Sequence, residues 1–285
     1  MAASTAMQAF FLPAETAAGG QRFALYHPPS GAPRGAVLFV HAFTEEMNKS
    51  RRMAALAARA LASSGCGVLQ LDLYGCGDSS GEFAEATWSD WLADVQRGAR
   101  WLQQRHPGMP WLWGHRAGCL LAAQAAQAMG GGYPLLFWQA PAAGKPLLQQ
   151  FLRLKLAGSM QGGAARGSTE ALRQALQAGR PVDVAGYLLN PALASGLEAA
   201  ALDALAPPAG TPVVWLETTA REPAALLPTS AALLERWRGQ GCEVAAEAVP
   251  GPAFWQTVEI EEAPALVDAT VRHVLRASSP AAATP

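Results

Sequence analysis

The stretch WLWGHRAGC, residues 111–119, places Gly114 and Gly118 two positions either side of Arg116. Where a strand passes into a helix through so short a turn, only small flanking residues fit and the central side chain is pushed out over the sheet edge. Position 116 is therefore a place where a chain presents a group to a ligand. An arginine there cannot act as a nucleophile, because its guanidinium stays protonated and has no available lone pair. It can bind instead. A helix N-terminus offers unpaired N–H groups and partial positive charge, and the guanidinium adds a full charge and a planar donor fork suited to carboxylate or phosphate.

Acyl transfer would need a nucleophile, a base, an acid to orient the base, and donors for the oxyanion. Among the five histidines, His41 alone is expected to face a ligand; His27, His106, His115 and His273 come from an edge segment, a helix end, the turn itself and a late helix. Cys76, in a loop after Gly75, is the more exposed thiol candidate, whereas Cys119 reads as a buried structural residue. Glu217 and Glu222 are the acid candidates, and Ser79 and Ser80 read as turn residues. A ligand site would gather His41, His115 and Lys49 around Arg116, with Ala42, Phe43, Tyr74, Phe254 and Trp255 as apolar surroundings. The alternative is internal neutralisation by Glu45, Glu46, Asp72, Glu217 or Glu259, since a buried charge must be paired. Both readings stay open at this level. Glu45, Glu46 and His41 match no standard metal-ligand spacing, so neither a metal nor a cofactor is expected.

The elements that must position these residues alternate between short apolar runs and helical patterns, the mark of βαβ units and a parallel sheet. Strands are expected over 36–43, 110–114, 134–141, 211–217 and 242–249, with 67–83 a strand running into a Gly-rich loop, and helices over 50–65, 87–105, 117–129, 229–239 and 264–277. Thr87 or Ser89 is the expected cap of the second helix. An antiparallel pair with a Gly-Gly turn precedes the first strand and suits a sheet edge. Together these predict an α/β chain with a mostly parallel sheet of about eight strands. Residues 1–141 and 211–277 form the expected core. Residues 142–210 show helical pieces and no convincing strand, which predicts a helical cap inserted where open α/β sheets bind ligands. GSMQGGAARGS (158–168) reads as a Gly-rich joint, and 278–285 as a disordered tail.

Hydrophobic residues make up 51% of the 285 and charged ones 15%, a composition able to build a core. The formal net charge of −1 gives no general attraction to polyanions, so nucleic acid is not an expected partner. No apolar run is long enough to span a bilayer, and MAASTAMQAFFLPAE lacks the layout of a secretory signal, so a cytoplasmic protein is expected. Cys66, Cys76, Cys119 and Cys242 are scattered, with no C-x-x-C pair, and are expected as free thiols.

Three of these stretches carry a family resemblance. WGHRAG has the spacing of the G-x-S-x-G nucleophile elbow, VLFVHAF is similar to the strand and His-Gly loop that help to form an oxyanion hole, and DLYGCGDSSGEF resembles the D-x-x-G-x-G-x-S-x-G loop of the α/β-hydrolase superfamily. The match covers most of residues 36–141. It implies the α/β-hydrolase fold. More narrowly, HAFTEEMNKSRRM, LDLYGCGDSSGEF, WGHRAG, VAGYLLNPALASGL and GPAFWQTVEIEEAPAL are similar to exosortase A system-associated hydrolase 2, a family found beside bacterial exopolysaccharide and PEP-CTERM sorting loci. That resemblance implies a nominal hydrolase and a place beside the exosortase system, where a protein partner is one expectation, but it fixes no substrate; the cap and Arg116 make the expected substrate or ligand a small or lipid-linked, anionic one. The chain departs from the superfamily pattern twice. Arg116 stands at the nucleophile position, and VPGPAFWQ places Pro252 or Ala253 where a histidine would follow the last strand. A conventional serine esterase is not expected, and a non-catalytic relative that binds an anionic ligand or a partner is the alternative.

Overall fold

The computed structural model describes residues 6–14, 19–161 and 168–278. Eight strands form one sheet in the order β1-β2-β4-β3-β5-β6-β9-β10, with β2 antiparallel to its neighbours and the others sharing one direction. They are β1 (Gln8–Pro13), β2 (Gln21–His27), β3 (Gly35–Val40), β4 (Cys66–Leu71), β5 (Trp111–His115), β6 (Leu135–Trp138), β9 (Pro212–Thr219) and β10 (Glu243–Pro250). This is the α/β-hydrolase fold.

Both faces of the sheet are covered, which is why β3, β5 and β6 read as continuous apolar runs rather than alternating ones. On one face α1 (Glu45–Ser63) and α8 (Pro264–Ser278) pack over Val37, Val68, Trp113 and Trp138. On the other, α2 (Trp88–Gln103), α3 (Ala117–Ala128) and α7 (Pro228–Gly239) cover Leu38, Leu69, Leu112, Phe137 and Trp215. Thr87 caps α2 in a reciprocal box with Asp90, as its position before the apolar face predicts. Helix α1 begins five residues before the predicted start, so Glu45 and Glu46 lie in its first turn, where carboxylates favour the helix dipole.

Between β6 and β9 the chain forms α4 (Gly144–Gln161), α5 (Thr169–Gln177), α6 (Pro191–Ala199) and a short 3-10 turn, Leu202–Ala204. It also forms a hairpin, β7 (Val182–Val184) and β8 (Tyr187–Leu189), where only helix was expected. The cause is local. Ala185 and Gly186 both have positive φ, 52° and 87°, as a two-residue hairpin loop requires, and each strand is too short to show a period in sequence. The Gly-rich joint is helical as far as Gln161, and its residues 162–167 lie outside the described residues, as do 279–285 of the expected tail.

The loop after β4 is held from beneath by one fully buried ion pair. Arg22 Nε donates to both carboxylate oxygens of Asp94 at 2.8 Å, and Asp94 Oδ2 also accepts the Tyr74 backbone N–H at 2.8 Å. Removing one partner strands the other charge in the core. Arg22→Ala is expected to lower the unfolding free energy by about 3–5 kcal/mol in urea denaturation, and a loss under about 1 kcal/mol would contradict this role.

Candidate ligand site at the strand ends

The turn between β5 and α3 has the geometry its glycines predict. Arg116 sits at φ 53°, ψ −119°, a conformation that costs a non-glycine residue about 1–3 kcal/mol. A Cβ at Gly114 would lie 2.4 Å from Cα of Cys119, and one at Gly118 would lie 2.2 Å from the carbonyl oxygen of Val40. Gly114 is therefore required for the turn to fold back on the start of α3, and Gly118 for it to pack against the end of β3. Thr44, which leads from β3 into α1, is bent in the same way, at φ 48°, ψ −124°.

The two bends bring Arg116 and Glu46 together. Arg116 Nη2 donates to Glu46 Oε1 at 3.0 Å, and its Nε donates to both carboxylate oxygens at 3.2 Å. Nη2 also reaches Gln150 Oε1 of α4 at 3.4 Å, and the guanidinium carbon lies 5.5 Å from the Trp255 ring centroid. The side chains are 12% and 19% exposed, so the pair is largely shielded from water. Of the two readings left open by the sequence, the internal pair is the arrangement observed.

A cleft of about 210 Å³ lies against this pair, between the first turns of α1, helix α4 and the loop after β10. Phe43, Leu147, Phe151, Leu154 and Trp255 supply apolar walls, and Glu45, Lys49, Gln150 and Gln256 supply polar groups. The Tyr187 hydroxyl donates to Glu45 at 3.2 Å and accepts from Asn48, tying the β7–β8 hairpin to α1. The α4 residues were not anticipated as lining. Leu147, Gln150, Phe151 and Leu154 do fall on one helical stripe, but nothing local in the sequence says which surface that stripe covers.

The remaining candidates lie elsewhere. His41, expected to face a ligand, is buried beside a separate cavity with Arg51 and Asp72. Its Nδ1–H donates to the Ala42 carbonyl at 2.8 Å and its Nε2 accepts the Leu73 N–H at 3.3 Å, so the backbone consumes both nitrogens. Burial lowers its pKa, against the opposing pull of Asp72. Ala42 is buried with it. His115 points into the core, stacked on Phe254 with ring centroids 5.3 Å apart, and neither of its nitrogens has a partner. Tyr74 is buried over Arg22, with its hydroxyl donating to Glu85 at 3.0 Å. Asp72 pairs with Arg51 at 3.4 Å, and Glu222 and Glu259 are exposed.

Glu217 is buried at the end of β9, accepting the Trp215 indole N–H at 2.9 Å and the Leu227 backbone N–H at 2.8 Å. It anchors the loop that follows. Cys76, expected to be exposed, is 8% exposed; burial first and then Asp72 push its thiol far above the usual range. Burial does the same to Cys119. All four cysteines are free and buried. His273 donates to Glu247 at 2.7 Å from within α8. Ser79 donates to the Asp72 carbonyl at 2.6 Å and Ser80 accepts from Gln21, the turn roles expected of them.

Comparison with known proteins places this geometry in a family. A family model described as serine aminopeptidase, S33, matches residues 31–196. The chain belongs to this α/β-hydrolase family. Among solved structures it is similar to Est1E from Butyrivibrio proteoclasticus, solved with ferulic acid bound, at 16% identity and a TM-score of 0.66 over 94% of this chain and 98% of that one. It is also similar to a thermostable carboxyl esterase from Bacillus coagulans, solved with glycerol, at 16% identity and 0.60 over 87% and 91%. A serine hydrolase without lid from Xanthomonas campestris matches at 17% identity and 0.55 over 98% and 97%. At these identities the likeness is one of fold. No curated protein sequence matches the chain.

Two measurements follow from the buried groups. Burial, with Arg116 adding to it, holds His115 well below the usual imidazole range, and burial also lowers His27, His41 and His106. These groups take up protons in the unfolded chain near pH 6.5 but not in the folded one, so stability is full above that pH and falls as pH drops below it. His115→Phe is expected to flatten this acid limb in denaturation measured from pH 7.5 to 5; an unchanged slope would contradict the assignment. A thiol reagent is expected to label none of the four cysteines rapidly in the native protein and all four after denaturation. Rapid native labelling of Cys76 would contradict its placement.

Proposed function

We propose that this chain is a non-hydrolytic member of its family, in which the nucleophile position has become a structural ion pair and the cleft beside it binds a ligand without cleaving it. One observation carries the reading: Arg116 occupies the elbow and is closed by Glu46. The histidine that would follow the last strand is also absent from 250–256, where Phe254 and Trp255 fill the space against His115. The described residues between β6 and β9 act as the cap over the cleft, with α4 supplying its apolar wall. The ligand is a small or lipid-linked molecule, and Lys49 at the cleft is the cation left to meet an anionic group, since Glu46 already neutralises Arg116.

The stretches similar to exosortase A system-associated hydrolase 2 support a place in the exosortase and exopolysaccharide machinery, in the cytoplasm. Among the described residues no helix is long and apolar enough to cross a membrane. A second reading, a protein partner in the same system, is favoured by Val258 and Ile260, which are 94% and 70% exposed and alternate with acidic residues beside the cleft loop.

The test is a panel of esters and thioesters with the wild type, Arg116→Ser and Cys76→Ala. No turnover is expected from any of them, because restoring a hydroxyl at position 116 supplies no base to activate it. Wild-type turnover would overturn the proposal, in favour of a cysteine hydrolase if Cys76→Ala abolishes it and of a hydrolase with unconventional machinery if it survives.

A further inference from the structure

We propose that the chain associates as a twofold dimer in which residues 258–261 of each copy seat on a groove of the other. Segment and groove lie on opposite flanks of α1: Arg52 of that helix reaches Glu262 at the end of the segment, and Arg51 reaches Asp72 beside the groove. The dimer is independent of the Arg116 pair and of any ligand beside it, and it gives Val258 and Ile260 a second copy of this chain as their partner.

The segment is the projecting part. Val258 and Ile260 are the most exposed large apolar side chains among the described residues, two positions apart, and Glu259 and Glu261 alternate with them. Neither of these carboxylates has an ion-pair or hydrogen-bond partner among the described residues, whereas Glu262 is paired with Arg52. The segment is held at both ends, by buried Phe254 and Trp255 before it and by Ala263 after it, whose N–H meets Met53 Sδ at 3.3 Å. Two apolar side chains fixed side by side in water, rimmed by polar groups, have the make-up of an interaction surface.

The other flank of α1 is the receiving part. There the helix leaves Phe23 and Leu25 of β2 half-buried, and Phe11 of β1, edge-on to Phe23 at 5.5 Å, stays 51% exposed. A cavity of about 180 Å³ opens between β2, the end of β3 and the α1 residues Met47, Arg51, Ala54 and Ala55. An apolar cavity of about 150 Å³ holds benzene, so a valine or isoleucine side chain fits. Arg51 stands at its rim, 47% exposed beyond its pair with Asp72, and exposed Arg59 follows one turn after Ala55.

Symmetry and charge select the occupant. Because the two patches flank one helix, a twofold axis through the exposed face of α1 lays each segment across the partner's groove and makes both contacts at once. The segment brings two unpaired carboxylates to a rim of two guanidiniums, so the edges attract, and the same carboxylates offset the repulsion of Arg51, Arg52 and Arg59 facing their symmetry copies. One self-complementary dimer covers both patches, where foreign partners would have to match each separately.

Sedimentation velocity of the full chain over a concentration series is the test. Wild type is expected to pass from monomer to dimer as concentration rises and to dissociate as salt is added. Ile260→Asp carries a carboxylate into the apolar groove and should leave only monomer. Arg59→Glu and, separately, the double variant Glu259→Arg with Glu261→Arg should each raise the dimer dissociation constant about tenfold. Mixing those two variants puts opposite charges at both contacts again and should return dimers of wild-type strength. A wild type that stays monomeric at every concentration, a dimer that survives Ile260→Asp, or a mixture no stronger than its components would each overturn the proposal. All four substituted positions are exposed, and circular dichroism melting of each variant separates loss of the dimer from loss of the fold.

Discussion

A turn too tight for any side chain but glycine on either flank forces Arg116 out over the sheet edge, and a half-buried guanidinium in that position has to find a carboxylate. Glu46 meets that need because Thr44 adopts the same strained bend one strand away and starts α1 early enough to bring two acidic residues to the elbow. The polar floor of the cleft follows from this pairing. Gln150 extends it into the segment between β6 and β9, so the same guanidinium links the sheet, α1 and α4.

Backbone strain concentrates where the strands end. Thr44, Arg116 and Gln139 all carry positive φ, each just beyond a neighbouring strand of the sheet. The rest of the structure supports them with well-satisfied packing: Arg22 with Asp94 beneath the β4 loop, Glu217 holding the loop after β9, and Gln139 Oε1 accepting the Thr218 N–H at 3.0 Å. Close to the elbow, the ring nitrogens of His115, Trp113 and Trp255 are buried without a hydrogen-bond partner. Phe254 and Trp255 close over His115 in the space that follows β10, and the result is an apolar plug rather than a titrating site.

Much of the fold was legible because its signals are local and repeated. Apolar runs and turn signals located the sheet strands, capping chemistry narrowed the start of α2 to Thr87 or Ser89, and motif spacing marked the glycine pair around Arg116. The hairpin at β7 and β8 was not legible, since three-residue strands carry no period and the turn depends on Ala185 taking positive φ. At the site, the type and position of Arg116 were plain, but its partner was one of five carboxylates in sequence, and only the early start of α1 selects Glu46. His41 shows the opposite failure. Its position after β3 suggests a ligand-facing role, whereas the neighbouring backbone groups of Ala42 and Leu73 take both ring nitrogens. Hydrogen-bond partners that come from chain crossing in space have no signature in spacing.

The central claim is that Arg116 and Glu46 act as one unit in the folded protein, and a double-mutant cycle of Arg116→Met and Glu46→Gln in chemical denaturation tests it most directly. A largely shielded bidentate pair predicts that the two substitutions are strongly non-additive, with a coupling of about 1–3 kcal/mol. Additivity within about 0.3 kcal/mol would contradict the account and leave the elbow arginine free for a ligand.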